Sequence, residues 1–205
     1  MKKLLIATLL AAASMGSAQA LDLVTNGDFS AGGTGWTTSD GTVGFAHLSV
    51  YTNCCGIDGS AYPYEKNAAF FGWGDQPGGV LSQTLATVAG QSYTVSFLYG
   101  ALAAPSLQTM TVQASNDLNV VLGTTDVSAY GTQNQLALVS PYSFQFVATG
   151  ASTTLKFRDT SANTYSTDGM VDSVSVTAVP EPETYAMLLA GLGLMGLAAR
   201  RRRQS

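Results

Sequence analysis

The sequence has few charged residues. Only 11% of its 205 residues are Asp, Glu, Lys or Arg, whereas about a quarter is usual in soluble domains. The shortage of cations excludes a strongly basic nucleic-acid-binding protein. The high apolar content excludes a charge-rich disordered chain. Because the apolar runs are confined to the two ends, we do not expect several membrane spans. The length allows one domain with its own core.

Positive charge is almost absent from the middle of the chain. Between residues 21 and 179 there are three cations, Lys66, Lys156 and Arg158, against eleven carboxylates, which gives this segment a net charge of −8. The other six cations lie at the termini. The middle therefore reads as an acidic globular domain, and the ends as transport or membrane elements.

The first twenty residues have the three zones of a secretory signal peptide. Lys2 and Lys3 form a positive start, residues 4–13 form an apolar helix too short to span a bilayer, and Ala18-Gln19-Ala20 is a small-residue cleavage site. This order predicts export, with Leu21 as the first residue of the mature protein.

The C-terminal segment, residues 179–205, is also tripartite. Two prolines in Val179-Pro180-Glu181-Pro182-Glu183 stop regular structure, and the apolar residues that follow predict a transmembrane helix over 184–199. Its fifteen uncharged residues from Tyr185 to Ala199 would cover about 22 Å at 1.5 Å per residue, which is short of a ~30 Å hydrocarbon core. The basic tail, residues 200–205, begins with Arg200, Arg201, Arg202 and Arg203. This cluster would hold the C-terminus in the cytoplasm.

This end of the chain resembles the PEP-CTERM sorting signal of Gram-negative bacteria, in which the motif, the helix and the basic tail occur in this order. The same segment is also named after the C-terminus of some ice-binding proteins. The resemblance implies processing by an exosortase-type membrane enzyme at or near Pro180-Glu181-Pro182. It also implies an inner-membrane precursor and delivery to the outer surface or an exopolysaccharide biofilm matrix. An ordinary tail anchor is the alternative.

Period-two alternation of apolar residues predicts that residues 21–178 are all-β. Ten short segments have strand character and no long helical period appears. The predicted strands are 21–28, 42–50, 68–73, 80–87, 93–99, 109–115, 118–122, 142–149, 153–158 and 170–177, separated by turn pairs such as Asn116-Asp117 and Asp168-Gly169. This pattern is typical of an antiparallel β-sandwich, and a jelly roll is the specific prediction.

The order of short motifs in this domain resembles carbohydrate-binding modules of the galactose-binding-like type. The carriers are Leu23 to Phe29 with Gly35-Trp36, then Leu81 to Leu85 and Gly90 to Phe97, and finally Met170 to Val176. The resemblance implies a jelly roll and a structural Ca²⁺ ion. Asp172 would supply a carboxylate and Asp28 its carbonyl, although Ser30 stands where a second acidic ligand is common.

The position of Asp172 gives independent support for the calcium hypothesis. By strand parity it shares a face with Met170, Val174 and Val176, and a carboxylate on an apolar face needs a cation or hydrogen-bond donors. Calcium takes six to eight oxygen ligands. The alternative is that Asp172 caps a turn or accepts bonds from backbone N–H groups.

The two cysteines, Cys54 and Cys55, are adjacent. Export brings them into an oxidising compartment, but neighbouring Cα atoms are only about 3.8 Å apart, below the usual disulfide range. A strained vicinal disulfide, bonds to another chain and free thiols all remain open. With no second cysteine pair, a zinc site is disfavoured.

The sequence offers little for catalysis. His47 is its only histidine and reads as a strand residue, and no Gly-x-Ser-x-Gly motif is present. Glu65 is the only glutamate before the tail, so no pair of carboxylates typical of a glycosidase stands out. We therefore expect no enzyme.

Aromatic side chains are the candidates for ligand contact, because rings can stack on the C–H faces of sugars. Tyr62, Tyr64 and Trp73 are the site prediction, since they fall in a Gly- and Pro-rich stretch. The wider set of rings is Tyr51, Phe71, Tyr99, Tyr130 and Tyr165. For any single ring, a place in the core is the more common outcome in a sandwich, and we expect Trp36 and Phe97 there.

Together these observations predict an exported, non-enzymatic protein of the surface or matrix with a weak glycan-binding role. One alternative is a structural or adhesive matrix protein without a sugar site, which could assemble through Cys54 or Cys55. A secreted hydrolase is a third. Polysaccharide and an exosortase-type enzyme are the expected partners, and nucleic acid is not.

Overall fold

The computed structural model is an antiparallel sandwich of two five-stranded sheets. It describes residues 21–39, 42–48, 66–72, 74–103, 105–131 and 140–180, with residues 191–193, 195, 196 and 200 of the C-terminal segment. The first sheet has the order β1(Thr37–Thr38), β4(Val80–Ala86), β9(Ser152–Asp159), β6(Leu107–Ser115), β7(Val121–Tyr130). The second has the order β2(Val43–Leu48), β3(Lys66–Phe71), β10(Thr167–Ala178), β5(Ser92–Ala103), β8(Ser140–Val147). The predicted all-β sandwich is confirmed.

The core lies between the sheets and is built from the alternating apolar residues of the strands. Phe157 of β9 is fully buried and meets Phe97 of β5 edge to face, with ring centroids 5.3 Å apart. Tyr93 of β5 stacks on Phe146 of β8 at 5.3 Å. Phe97 is 2% exposed, and Trp36 packs against the same cluster. Both were expected in the core.

The N-terminal segment differs from its prediction. Residues 21–28 are not a strand: only Asp22 forms an isolated bridge, to Thr177. The chain begins to turn within this segment, and Asn26 and Phe29 have positive φ values of 55° and 52°. The Gln83 side chain accepts a bond from the Thr25 N–H (2.8 Å) and donates to the Thr25 carbonyl (2.9 Å). The Gln83 side chain, and not a ladder of strand bonds, fixes the backbone at Thr25. The strand predicted from the apolar alternation is therefore wrong.

The β6–β7 connection is a second correction. The predicted strand 118–122 is mostly a turn, in which Asn116 Oδ1 accepts bonds from the N–H groups of Leu118 (3.0 Å) and Val120 (2.9 Å). The strand instead runs from Val121 to Tyr130. β7 lies at a sheet edge and carries polar residues on both faces, so its alternation is weak in the sequence.

A bulge in β10 changes the predicted face of Asp172. The register shifts between Asp172 and Ser175, and Ser173 has a φ of 52°. Val171, Val174 and Val176 lie in the core cluster, whereas Asp172 comes one residue after Val171. The parity argument that placed Asp172 with Val174 and Val176 is therefore wrong, because it assumed an unbroken strand.

The sandwich passes directly into the C-terminal segment. The Val179 N–H donates to the Ser92 carbonyl (2.8 Å), and Gln91 Nε2 donates to the Val179 carbonyl (2.8 Å). Residues 191–193, 195, 196 and 200 are helical. No helix within the part of the chain that the structure describes is long and apolar enough to cross a membrane, so the predicted transmembrane helix is not confirmed.

Candidate functional site

One end of the sandwich gathers acidic and buried polar groups. There β3, β5 and β9 finish, and β4, β6 and β10 begin. We call this region the acidic end and define it by Asp75, Asp159 and Asp168, with the connections 72–79 and 160–166. None of the described residues in these two connections is a Lys or Arg.

Two of the three carboxylates join the connections to each other. Asp159, 3% exposed, accepts bonds from the N–H groups of Ser161 (2.9 Å) and Gly78 (3.0 Å). Asp75 accepts a bond from the Ser166 N–H at 2.8 Å. These bonds satisfy backbone groups that a loop would otherwise leave unpaired. They also fix the relative positions of two segments that are distant in sequence.

The third carboxyl, that of Asp168, lies in a more costly position. Burial raises the pKa of Asp168 to about 6, and the nearby Asp75 and Asp159 carboxylates add to the effect. Gly72 faces it: a Cβ there would lie 2.9 Å from Asp168 Oδ1 and 2.8 Å from Thr164 Cβ. The φ of Gly72 is +107°, so steric room and backbone conformation both require glycine.

The acidic end also contains three buried polar groups without hydrogen-bond partners among the described residues. Within the part of the chain that the structure describes, the hydroxyl groups of Tyr99 and Thr164 and the acceptor Oε1 of Gln108 have no hydrogen-bond partner, and all three residues are at most 1% exposed. Burial, followed by the Asp159 and Tyr142 charges, raises the pKa of Tyr99 far above its usual value. Unsatisfied buried groups are rare in folded proteins, and each calls for an explanation. Each of these atoms has almost no accessible surface, so they lower the stability of the fold at this end.

Tyr165 stands at the surface of the same end. Its backbone N–H donates to Asn163 Oδ1 at 2.8 Å, and the Asn163 carbonyl accepts a bond from Gln108 Nε2 at 2.9 Å. The ring is 69% exposed. This turn therefore presents an aromatic face to solvent beside the carboxyl groups.

The chemistry of the acidic end suits a polyhydroxylated ligand. Carboxylates and amide carbonyls accept bonds from hydroxyl groups, and an exposed ring packs on an apolar face. Among the described residues, no three His, Cys, Asp or Glu side chains lie close enough to hold a metal ion.

A second surface lies on the outer face of the first sheet. It is a shallow depression of about 400 Å³ over β6 and β7. Its hydroxyl groups are largely paired already: Thr111 Oγ1 donates to Asp126 Oδ1 (2.6 Å), and Thr160 Oγ1 donates to Thr109 Oγ1 (3.0 Å). Tyr130, at the end of β7, is 60% exposed. We rank this surface below the acidic end because its polar groups need no ligand.

Most site residues predicted from the sequence fall outside the described residues. These are Tyr51, Tyr62, Tyr64, Trp73, Cys54 and Cys55, and also Glu181, Pro182, Glu183, Arg201, Arg202 and Arg203. Phe71 and Tyr99 are core residues, at 0% and 1% exposure. Of the predicted rings, Tyr130 and Tyr165 remain as exposed candidates.

The two predicted calcium ligands are described, and both have protein partners. The Asp28 carboxylate accepts bonds from the Ser30 N–H (3.2 Å) and hydroxyl (2.9 Å), which hold the pKa of Asp28 below its usual value. Asp172, 1% exposed, accepts a bond from the Ser173 N–H. The Gly27 carbonyl accepts the Val174 N–H at 2.9 Å, so this loop lies against the β10 bulge. Calcium at Asp28 and Asp172 stays a prediction.

The acidic end was missed at the level of sequence. Asp168-Gly169 reads as a turn but begins β10, where Gly169 faces the Tyr99 hydroxyl: a Cβ there would lie 3.0 Å from it. The available signal was a run of mostly small or polar residues, Ser161 to Ser166, between two strands. The residues of that run do not predict that Asp75, which is distant in the sequence, bonds to Ser166.

Comparison with known proteins identifies the C-terminal segment. Residues 178–203 match the family model described as the PEP-CTERM protein-sorting motif. The chain therefore carries this sorting motif directly after the sandwich. No curated protein matches the chain.

Solved structures share the fold at low identity. TmCBM61, solved in complex with beta-1,4-galactotriose, is 14% identical with a TM-score of 0.51, over 78% of this chain and 100% of that one. The CBM22-1 xylan-binding domain from Paenibacillus barcinonensis Xyn10C is 15% identical with a TM-score of 0.50, over 79% and 97%. The structural neighbours are carbohydrate-binding modules with a jelly-roll fold. At these identities the likeness shows the fold alone.

Proposed function

We propose that this chain is an exported, non-enzymatic protein of the cell surface or extracellular matrix that binds glycans weakly through the acidic end. A PEP-CTERM motif implies export with a transient membrane anchor and processing by an exosortase-type enzyme. The observation that carries the binding role is the exposed ring of Tyr165, in a turn that the Asp75 carboxylate holds through the Ser166 N–H at 2.8 Å.

A binding role fits the acidic end better than catalysis does. Both oxygens of Asp159 and one oxygen of Asp75 are committed to backbone N–H groups. A general acid and base must instead reach the substrate with a free proton-transferring atom. Asp168 alone would supply an acceptor for a sugar hydroxyl, and Tyr165 a stacking face. Trp73, next to Gly72 in the sequence, remains a predicted contact.

Glycan binding is tested by affinity electrophoresis in gels that contain xylan, β-1,4-galactan or the producing cells' own exopolysaccharide. We expect the native protein to be retarded in at least one of these gels, and Tyr165→Ala to weaken binding by about tenfold or more, since one stacked ring is a typical hot spot. Tyr130→Ala is the matched control because its ring is similarly exposed on another surface. Equal retardation of both variants would contradict the assignment. No retardation of the native protein would favour a structural or adhesive role.

Sorting is tested by replacing Pro180, Glu181 and Pro182 with alanine. We expect the precursor to accumulate in the membrane and the released form to disappear, because the proline-flanked motif is the segment that the processing enzyme would read. Fractionation and immunoblotting measure the two forms. The native chain in a strain without the exosortase-type enzyme is the control and should behave like the variant. Undiminished release of the triple variant would show that processing does not use this motif.

A further inference from the structure

The sandwich has a second distinctive end, opposite the acidic end, where the chain leaves for the sorting motif. Three turns meet there: residues 87–91 between β4 and β5, 116–120 between β6 and β7, and 148–151 between β8 and β9. With Val179 they form what we call the chain-exit end.

Hydrogen bonds join all three turns to the point of exit. The Gly90 N–H donates to the Ala148 carbonyl (2.8 Å), and the Ala148 N–H donates to the Gln91 carbonyl (3.0 Å). Asn116 Nδ2 donates to Thr149 Oγ1 (3.2 Å), which ties in the third turn. Val179 is bonded to Ser92 and Gln91 as described above. The sorting motif therefore begins on a fixed platform, with no linker between it and β10.

Two of these turns, 87–91 and 116–120, expose large apolar side chains. Val88 is 66% exposed, Leu118 82% and Val120 54%. Val121 and Val147 stand just behind them at 47% and 51%. Asp117 is the only charged residue in the three turns. Apolar, nearly uncharged tips on both sides of the 148–151 turn are unusual on a domain with a net negative charge, and such patches mark interaction sites.

The length of chain after Val179 limits how far this end can lie from a membrane. Five residues, Pro180 to Thr184, separate Val179 from Tyr185, where the apolar stretch begins. Fully extended, such a segment reaches at most about 20 Å. The headgroup layer itself is about 5–8 Å thick on each side of the hydrocarbon core. While the sorting segment is in the membrane, the chain-exit end therefore stays next to the bilayer.

We propose that the chain-exit end is a membrane-contact surface, in which Val88, Leu118 and Val120 enter the headgroup layer of the anchored precursor. This inference rests on the transient anchoring in the proposed function. The absence of Lys and Arg from the three turns means that apolar burial, and not attraction to anionic lipid, supplies the contact. Contact with lipid would hold the domain upright on the membrane, with the acidic end directed outward and the sorting motif at the bilayer surface.

The test uses the full chain, purified from membranes and reconstituted into phosphatidylcholine vesicles with and without brominated acyl chains. Leu118→Trp places an indole at the proposed contact. Leu107→Trp is the matched control, since Leu107 is also an exposed leucine (53%) but lies at the start of β6, near the acidic end. The native chain gives the background emission of Trp36 and Trp73. Flotation of the vesicles, measured separately, reports whether the chain is anchored.

We expect brominated lipid to quench the added indole of Leu118→Trp and to leave that of Leu107→Trp unchanged. Neutral salt should not alter the quenching. If the chain floats with the vesicles but the two variants are quenched equally or not at all, the contact surface is wrong and the anchoring stands. If the indole of Leu118→Trp is not quenched and the chain instead forms dimers as its concentration rises, the patch binds a second copy of the chain. That result would overturn the proposal. Failure to float would overturn both the anchoring and the contact.

Discussion

Phe157→Ala is expected to lower the free energy of unfolding by about 3–5 kcal/mol, the usual cost of removing a fully buried aromatic side chain. Phe157 is 0% exposed and lies between the sheets. Its ring meets Phe97 of the opposite sheet at 5.3 Å and Trp36 of the N-terminal loop at 6.1 Å. Truncation would therefore leave a cavity where three parts of the fold meet.

Urea denaturation followed by tryptophan fluorescence measures this effect, because Trp36 reports directly on the site. Tyr130→Ala is the control, since a 60% exposed ring should change stability by less than about 0.5 kcal/mol. The m-value should stay constant if the change acts on stability alone. A loss below about 1 kcal/mol for Phe157→Ala would show that the aromatic cluster is not the main packing unit of the core.

The strands that were predicted well have one apolar face, whether they lie inside a sheet, as β5, β6 and β9 do, or at its edge, as β8 does. β5, β6, β8 and β9 bury one side against the core, and their sequences alternate accordingly, as Tyr93, Val95, Phe97 and Tyr99 do in β5. β7 was largely missed because it is an edge strand whose apolar face is interrupted by Thr125 and Gly123. Alternation is a signal of one-sided burial, so it weakens where burial does.

Side-chain bonds between distant segments account for the other errors. The N-terminal stretch looks like a strand, yet Gln83, 58 residues from Thr25, holds it as a loop. The β10 bulge depends on Gly27, because a Cβ there would clash with the Val174 carbonyl oxygen. Local patterns carry no information on such pairings. They become visible only when the strands have been placed.

The candidate site was predictable only in its residue types. Tyr165 is one of the predicted rings, but no feature of the local sequence favours it over Tyr130. What distinguishes Tyr165 is its neighbours, which come from the connections after β3 and after β9. The sorting motif is the opposite case, because its signal is contiguous and residues 178–203 match without any structural knowledge.

Asp168→Asn is expected to stabilise the protein by about 2 kcal/mol at pH 7.5, since about 1.4 kcal/mol accompanies each unit of pKa shift and solvent screens part of it. Burial and two neighbouring carboxylates raise the pKa of Asp168 from 3.8 to about 6. In the folded state it therefore keeps its proton to higher pH than in the unfolded state. Stability falls as pH rises from about 4 to about 6, and the loss is complete above that range.

The pH dependence of the melting temperature tests this prediction. Ionisation of Asp168 should make the native protein less stable at pH 7 than at pH 4. Asp168→Asn should remove this part of the pH dependence, because Asn does not ionise. Melting temperatures of the two proteins should therefore differ at pH 7.5 and converge near pH 4. Asp117→Asn is the control, because this exposed turn residue has no carboxylate neighbour in its turn and should change stability by less than about 0.5 kcal/mol. Equal melting curves at pH 7.5 would contradict the buried, charged position of Asp168.

The same variant separates a binding role from a structural one. A carboxylate that costs stability at neutral pH is retained in a fold when it contributes to function. The hydrogen bonds that hold the two connections go to Asp75 and Asp159. We therefore expect Asp168→Asn to be more stable than the native protein and to be less retarded in polysaccharide gels. Tyr165→Ala should share only the loss of retardation. If the Asp168 carboxyl had only a structural role, its replacement would change the melting temperature and leave the retardation in polysaccharide gels unchanged. Because the two measurements are predicted to move in opposite directions, general unfolding cannot produce the expected result.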